Sequence, residues 1–96
     1  MPYIKKDERV KFENMLGNIP PVFTPGELNY LITKILLAYE EQHGAKYQTY
    51  NDIIGVLGCC HSEFYARVVV PFEGYKQHMN GDVYNDYPFE EDDYHE

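Results

Sequence analysis

Apolar residues recur at three- and four-residue intervals along most of the chain ahead of Asn80, and that spacing is the period of an α-helix. Phe12, Met15, Leu16 and Ile19 share one face of a short segment over Lys5–Leu16, which Gly17 closes before the extended Pro20-Pro21 spacer. Leu28, Leu31, Ile32, Ile35, Leu36 and Tyr39 make a longer stripe. Thr24-Pro25-Gly26-Glu27 opens that helix with a capping residue, a proline at the first helical position and a glutamate three residues after the cap. Phe23 and Leu28 are spaced for a hydrophobic staple across its start, and Gly44 marks its end. The third stripe is Tyr50, Ile53, Ile54, Leu57, His61, Phe64, Tyr65 and Val68. Thr49 and Asp52 have the spacing of a capping box, which places the start of this helix at Thr49.

The pattern predicts an all-α fold, a small bundle of three main helices in which the two longer ones pack as a hairpin. Pro71 cannot donate to the carbonyl of Arg67, so a helix-breaking kink is expected there, with a short helix resuming over Phe72–Met79. Residues 1–79 form the helical domain, and Asn80-Gly81 punctuates the chain before a tail over 80–96. On the third helix Gly55, Cys59, Ser62 and Ala66 align beside the apolar stripe. Small side chains in register admit a second helix backbone at close range, either the chain's own second helix or the same helix of another copy. His61, on the apolar face, reads as a core residue.

Charge alters the picture at one end. The formal net charge is −8, and seven of the 16 acidic residues, Asp82, Asp86, Glu90, Glu91, Asp92, Asp93 and Glu96, lie beyond Asn80 without a single Lys or Arg. The body is therefore close to neutral. Such a tail has too little apolar content to form a core and is expected to be flexible. Its acids and aromatics (Asp82, Tyr84, Asp86, Tyr87, Phe89, Glu90, Glu91, Asp92, Asp93 and Tyr94) suit docking on a basic protein surface. An acidic chain whose only basic cluster is Lys5, Lys6, Arg9 and Lys11 argues against direct nucleic-acid binding. No apolar run approaches the roughly 20 residues of a membrane span, and the N-terminus lacks a secretory pattern. Adjacent Cys59 and Cys60 suit a reducing compartment. Together these features give a cytoplasmic expectation with no membrane partner.

Candidate chemistry is thin. Glu40 and His43 form one Glu-x-x-His pair where di-iron bundles need two pairs and two further glutamates. Cys59, Cys60 and His61 are consecutive, and helical neighbours diverge by about 100°, so they cannot converge on one metal. No catalytic residue, metal or cofactor is expected. An enzyme built on Glu40, His43, Glu63 and His61 is the weaker rival. Arg9, Tyr30, Arg67 and Lys76 would serve if the protein instead sequestered a small anionic ligand such as a signalling nucleotide. The 10 tyrosines favour contact surfaces, since tyrosine buries a large area at modest entropic cost.

Several segments resemble a family of short, uncharacterised phage and bacterial proteins: Met1-Pro2-Tyr3-Ile4-Lys5-Lys6, Gly26-Glu27-Leu28-Asn29-Tyr30-Leu31-Ile32, Tyr50-Asn51-Asp52-Ile53-Ile54-Gly55, Glu63-Phe64-Tyr65-Ala66-Arg67, Val70-Pro71-Phe72-Glu73 and Asn80-Gly81-Asp82-Val83-Tyr84. The resemblance covers Met1 to Tyr84 and leaves Asn85–Glu96 as an addition. It implies a helical body and a phage or mobile-element setting, and carries over no activity. The expected function is that of a non-enzymatic accessory protein. It would self-associate and bind, even inhibit, a host or phage protein; a structural role in a virion is the further alternative.

Overall fold

The computed structural model describes residues 2–84. They are helical, with no strand among them, which establishes the all-α class. The chain divides into two compact units, Met1–Glu63 and Phe64–Glu96.

The first unit opens with α1 (Lys6–Arg9), a 3₁₀ turn (Val10–Phe12) and α2 (Glu13–Gly17). The single short helix expected over Lys5–Leu16 is thus broken by a tighter turn. The long helix α3 (Pro25–His43) begins at the expected signal. Thr24 Oγ1 accepts from the Glu27 amide at 3.1 Å, and the Glu27 carboxylate reaches back to the Phe23 amide at 2.8 Å. These bonds satisfy amides that have no partner inside the helix. The expected staple is not made, for Phe23 stays 82% exposed. The helix ends at Gly44, whose amide donates to the Glu40 carbonyl at 2.7 Å and whose φ of 89° is open to glycine alone among ordinary residues.

The next helix, α4 (Tyr47–Phe64), starts two residues before the expected cap. Thr49 therefore lies inside the first turn, where its hydroxyl caps nothing, and Asp52 is bonded elsewhere. The helices α3 and α4 meet near their connecting turn, where Ile35, Leu36 and Tyr39 face Asp52, Ile53 and Val56 across an apolar cleft. Leu31, Leu36, Tyr39, Ile53 and Leu57 are half-buried, whereas Leu28, Ile32, Ile35 and Ile54 are exposed. His61 is also exposed, which corrects its reading as a core residue: the apolar cleft against α3 is lined on α4 by Asp52, Ile53 and Val56, and His61 lies more than a turn further along that helix.

In the second unit a five-residue π turn (Tyr65–Val69) leads into α5 (Val70–Asn80). The interruption expected at Pro71 is here, and it takes the form of a widened turn through which the chain stays helical. The Val70 amide donates to the Tyr65 carbonyl, one residue further back than in an α-helix. Pro71 has no amide to donate, and its ring would crowd the Arg67 carbonyl in a regular helix. Widening the turn relieves that crowding. Gly81, with φ 93°, caps α5 through its bond to the Gln77 carbonyl at 2.9 Å.

Among the described residues no apolar side chain is buried; Thr49, 1% exposed, is the sole buried residue. The stripes read from the sequence are on the helices, and they are not sealed into a core.

Candidate interaction site

A polar brace crosses the α3–α4 turn of the first unit. Tyr39 of α3 donates its hydroxyl to Asp52 of α4 at 3.0 Å, and Tyr50 of α4 donates to Glu40 of α3 at 2.6 Å. Gln48 adds a second donor to Asp52 at 2.7 Å. Each helix thus contributes one phenol and one carboxylate. His43 stacks on the Tyr39 ring with centroids 4.1 Å apart. The hydrogen bond to Asp52 raises the Tyr39 pKa above 10.0, helped by desolvation and by the negative charge, and Glu40 does the same for Tyr50. A phenol that donates to a carboxylate holds its proton, because ionisation would set two negative charges face to face. A third pair joins the ends of the unit: Tyr3 donates to Glu63.

Three of the four residues of the enzyme reading make contacts within the unit. Glu40 accepts from Tyr50, Glu63 accepts from Tyr3, and His43 stacks on a ring. No group of three His, Cys, Asp or Glu residues could hold a metal ion among the described residues.

Of the residues expected to bind a small anion, Arg9 and Tyr30 belong to the first unit and Arg67 and Lys76 to the second. Arg9 turns its Nε onto the Ile4 carbonyl at 2.8 Å. Tyr30 lines a shallow groove with Pro25, Gly26, Asn29 and Thr33, with Lys34 Nζ 5.9 Å from its ring centroid. Arg67 sits in the π turn. Lys76 lines a different groove, with Tyr65, Val70 and Tyr84, and stands 5.7 Å from the Phe72 centroid.

Of the small-residue stripe, Cys59 is half-buried, and Ser62 and Ala66 are exposed. A Cβ built on Gly55 would meet nothing within 4 Å, so α3 does not use that opening. Of the tail residues assigned to partner docking, Asp82 and Tyr84 are described: Asp82 Oδ1 accepts from the Tyr84 amide at 2.8 Å in a local turn. Asp86, Tyr87, Phe89, Glu90, Glu91, Asp92, Asp93 and Tyr94 lie outside the described residues.

The sequence reading missed one possibility. Tyr47–Asn80 is a helical stretch of 34 residues that is long and apolar enough, by length and composition, to cross a membrane. No unbroken apolar run announced it, because Glu63 and Arg67 fall in its middle. Each such charge at a bilayer centre costs on the order of 3 kcal/mol or more.

The fold and its contacts define a helical protein with open apolar faces and polar braces. By sequence the chain belongs to a family described as a domain of unknown function, DUF6899, which matches residues 1–83. No curated protein and no solved structure matches it.

Proposed function

We propose that the protein is a non-enzymatic, self-associating binding protein in a phage or mobile-element setting. Its acidic-aromatic tail would dock on a basic surface of a host or phage protein in the cytoplasm and inhibit that protein by occupying the surface. The observation that supports self-association is the absence of any buried apolar side chain among the described residues. Hydrophobic burial is the main favourable term in folding, so helices with uncovered stripes gain their stability from association. Gly55 and its neighbours Cys59, Ser62 and Ala66 offer one place for a second helix to approach. The small-anion alternative has less support: in the first unit the Arg9 guanidinium is engaged by the Ile4 carbonyl and is not among the residues that line the Tyr30 groove.

The test has two parts. Sedimentation velocity over a wide concentration range should show an oligomer that dissociates on dilution. Lysate capture should then compare the wild type with a chain carrying Glu90→Gln, Glu91→Gln, Asp92→Asn and Asp93→Asn. A captured protein that the neutralised tail no longer retains, and that added polyanion displaces, supports tail docking. Equal capture by both chains removes the tail from the mechanism.

A further inference from the structure

We propose that the second unit carries a docking face for another copy of this chain, made by Phe64, Val68, Phe72, Tyr75 and Met79. The inference rests on the self-association part of the reading above and assigns it a surface outside the small-residue stripe.

Phe72, Tyr75 and Met79 follow one another by three and four residues on α5 and so share a face. Phe64, Val68 and Phe72 step by four, which would drift around a regular helix. The π turn over Tyr65–Val69 rotates less per residue and holds these steps on the same side. The arrangement that accommodates Pro71 thereby also keeps the stripe straight.

None of the five is covered. Phe64 is 62% exposed, Phe72 55%, Tyr75 59%, Val68 49% and Met79 59%. An aromatic side chain presents about 150–250 Å², so the three aromatics offer on the order of 350 Å² per copy, and Val68 with Met79 bring this to about 500 Å². Two copies would bury about 1,000 Å², the level a specific interface must clear. Lys76, beside the Phe72 ring, and Glu73 give the stripe a polar rim, the usual anatomy of a protein interface.

A second copy fits better than a bilayer or a foreign protein. Between Phe64 and Asn80 the basic residues are Arg67 and Lys76, short of the Lys- and Arg-rich polar face that holds amphipathic helices to anionic lipids. Helices with no apolar core need their cover whenever they are folded, and another copy of the same chain is the partner always present in equal supply.

Sedimentation velocity and thermal melts of the full chain test this, with Phe72→Glu against Gln77→Glu. Gln77 lies about 140° around the helix from Phe72, so it receives the same charge off the stripe. We expect a wild-type oligomer whose Tm rises with concentration, at least tenfold weaker association for Phe72→Glu, and no change for Gln77→Glu. Met79→Glu, in the last turn, reports the same face if Phe72→Glu loses its helical circular dichroism at every concentration. A wild-type oligomer indifferent to Phe72→Glu and Met79→Glu overturns this assignment and leaves self-association to the first unit. A wild-type monomer at every concentration overturns both. A wild-type monomer that floats with phosphatidylcholine–phosphatidylglycerol vesicles, and loses them on Phe72→Glu, assigns the face to a bilayer and also overturns the proposal.

Discussion

Tyr39 donates its hydroxyl to Asp52 at 3.0 Å, and the adjacent Glu40 accepts from Tyr50 at 2.6 Å, so neighbouring residues of α3 play opposite roles toward α4. The reciprocity matters because α3 and α4 share little apolar contact. Two charge-assisted hydrogen bonds next to the turn set where the helices meet, and they are lost together if either helix slips in register. Removing both phenols, with Tyr39→Phe and Tyr50→Phe, should therefore lower the Tm more than either change alone. A double-mutant cycle that returns strict additivity would show that the two bonds act independently.

The same bonds predict an alkaline limit. Folding raises the pKa of Tyr39 and Tyr50 above 10.0 through their carboxylate partners. A phenol that binds its proton more tightly when folded contributes its full stabilisation below the unfolded pKa. It loses that stabilisation as the pH rises through the raised folded value. Melts at about pH 8 and about pH 11, on either side of the ordinary phenol value, should show a falling Tm. The fall should be smaller in the double Phe variant. A drop of equal size in both would place the alkaline sensitivity elsewhere.

Thr49 is 1% exposed and its Oγ1 has no hydrogen-bond partner. A buried hydroxyl without a partner has lost its water and gained nothing in return. Thr49→Val keeps the branched shape and should stabilise the protein by about 1 kcal/mol, read by urea denaturation at fixed protein concentration. Destabilisation would mean that the hydroxyl is bonded in solution.

Pro71 is the reason for the π turn by this argument. In Pro71→Ala the restored amide can donate to the Arg67 carbonyl, and the segment should revert to a regular α-helix. Medium-range NMR contacts across Tyr65–Val69 would change from five-residue to four-residue spacing. Since the turn keeps Phe64, Val68 and Phe72 on one side, the variant should also associate more weakly. A π turn that persists without the proline would owe its shape to other contacts.

Thr24→Ala removes the oxygen that receives the Glu27 amide. Loss of an N-cap of this kind costs about 1 kcal/mol, and Thr24→Ser should restore most of it in the same denaturation measurement. A silent Thr24→Ala would mean that solvent caps α3 equally well.

Helix starts and stops were legible wherever the cause was local. Thr24, Gly44 and Gly81 act through bonds to residues three or four positions away, so the order of residues around them suffices. The same reading placed the start of α4 at Thr49, two residues late, because the Thr-x-x-Asp pattern matched a capping box while Asp52 is bonded to Tyr39 and Gln48. Tyr39 lies 13 residues away, and no short motif reports a partner at that distance. Exposure was equally beyond a periodic pattern. Three- and four-residue spacing assigns Phe64, Val68 and Phe72 to one side of a helix. Whether that side is covered depends on elements elsewhere, and among the described residues none of them buries it. Short-range backbone chemistry thus settled the helices, their ends and the trouble at Pro71. The braces and the bareness of the apolar faces came only with the tertiary structure, because each depends on which side chains meet across the fold.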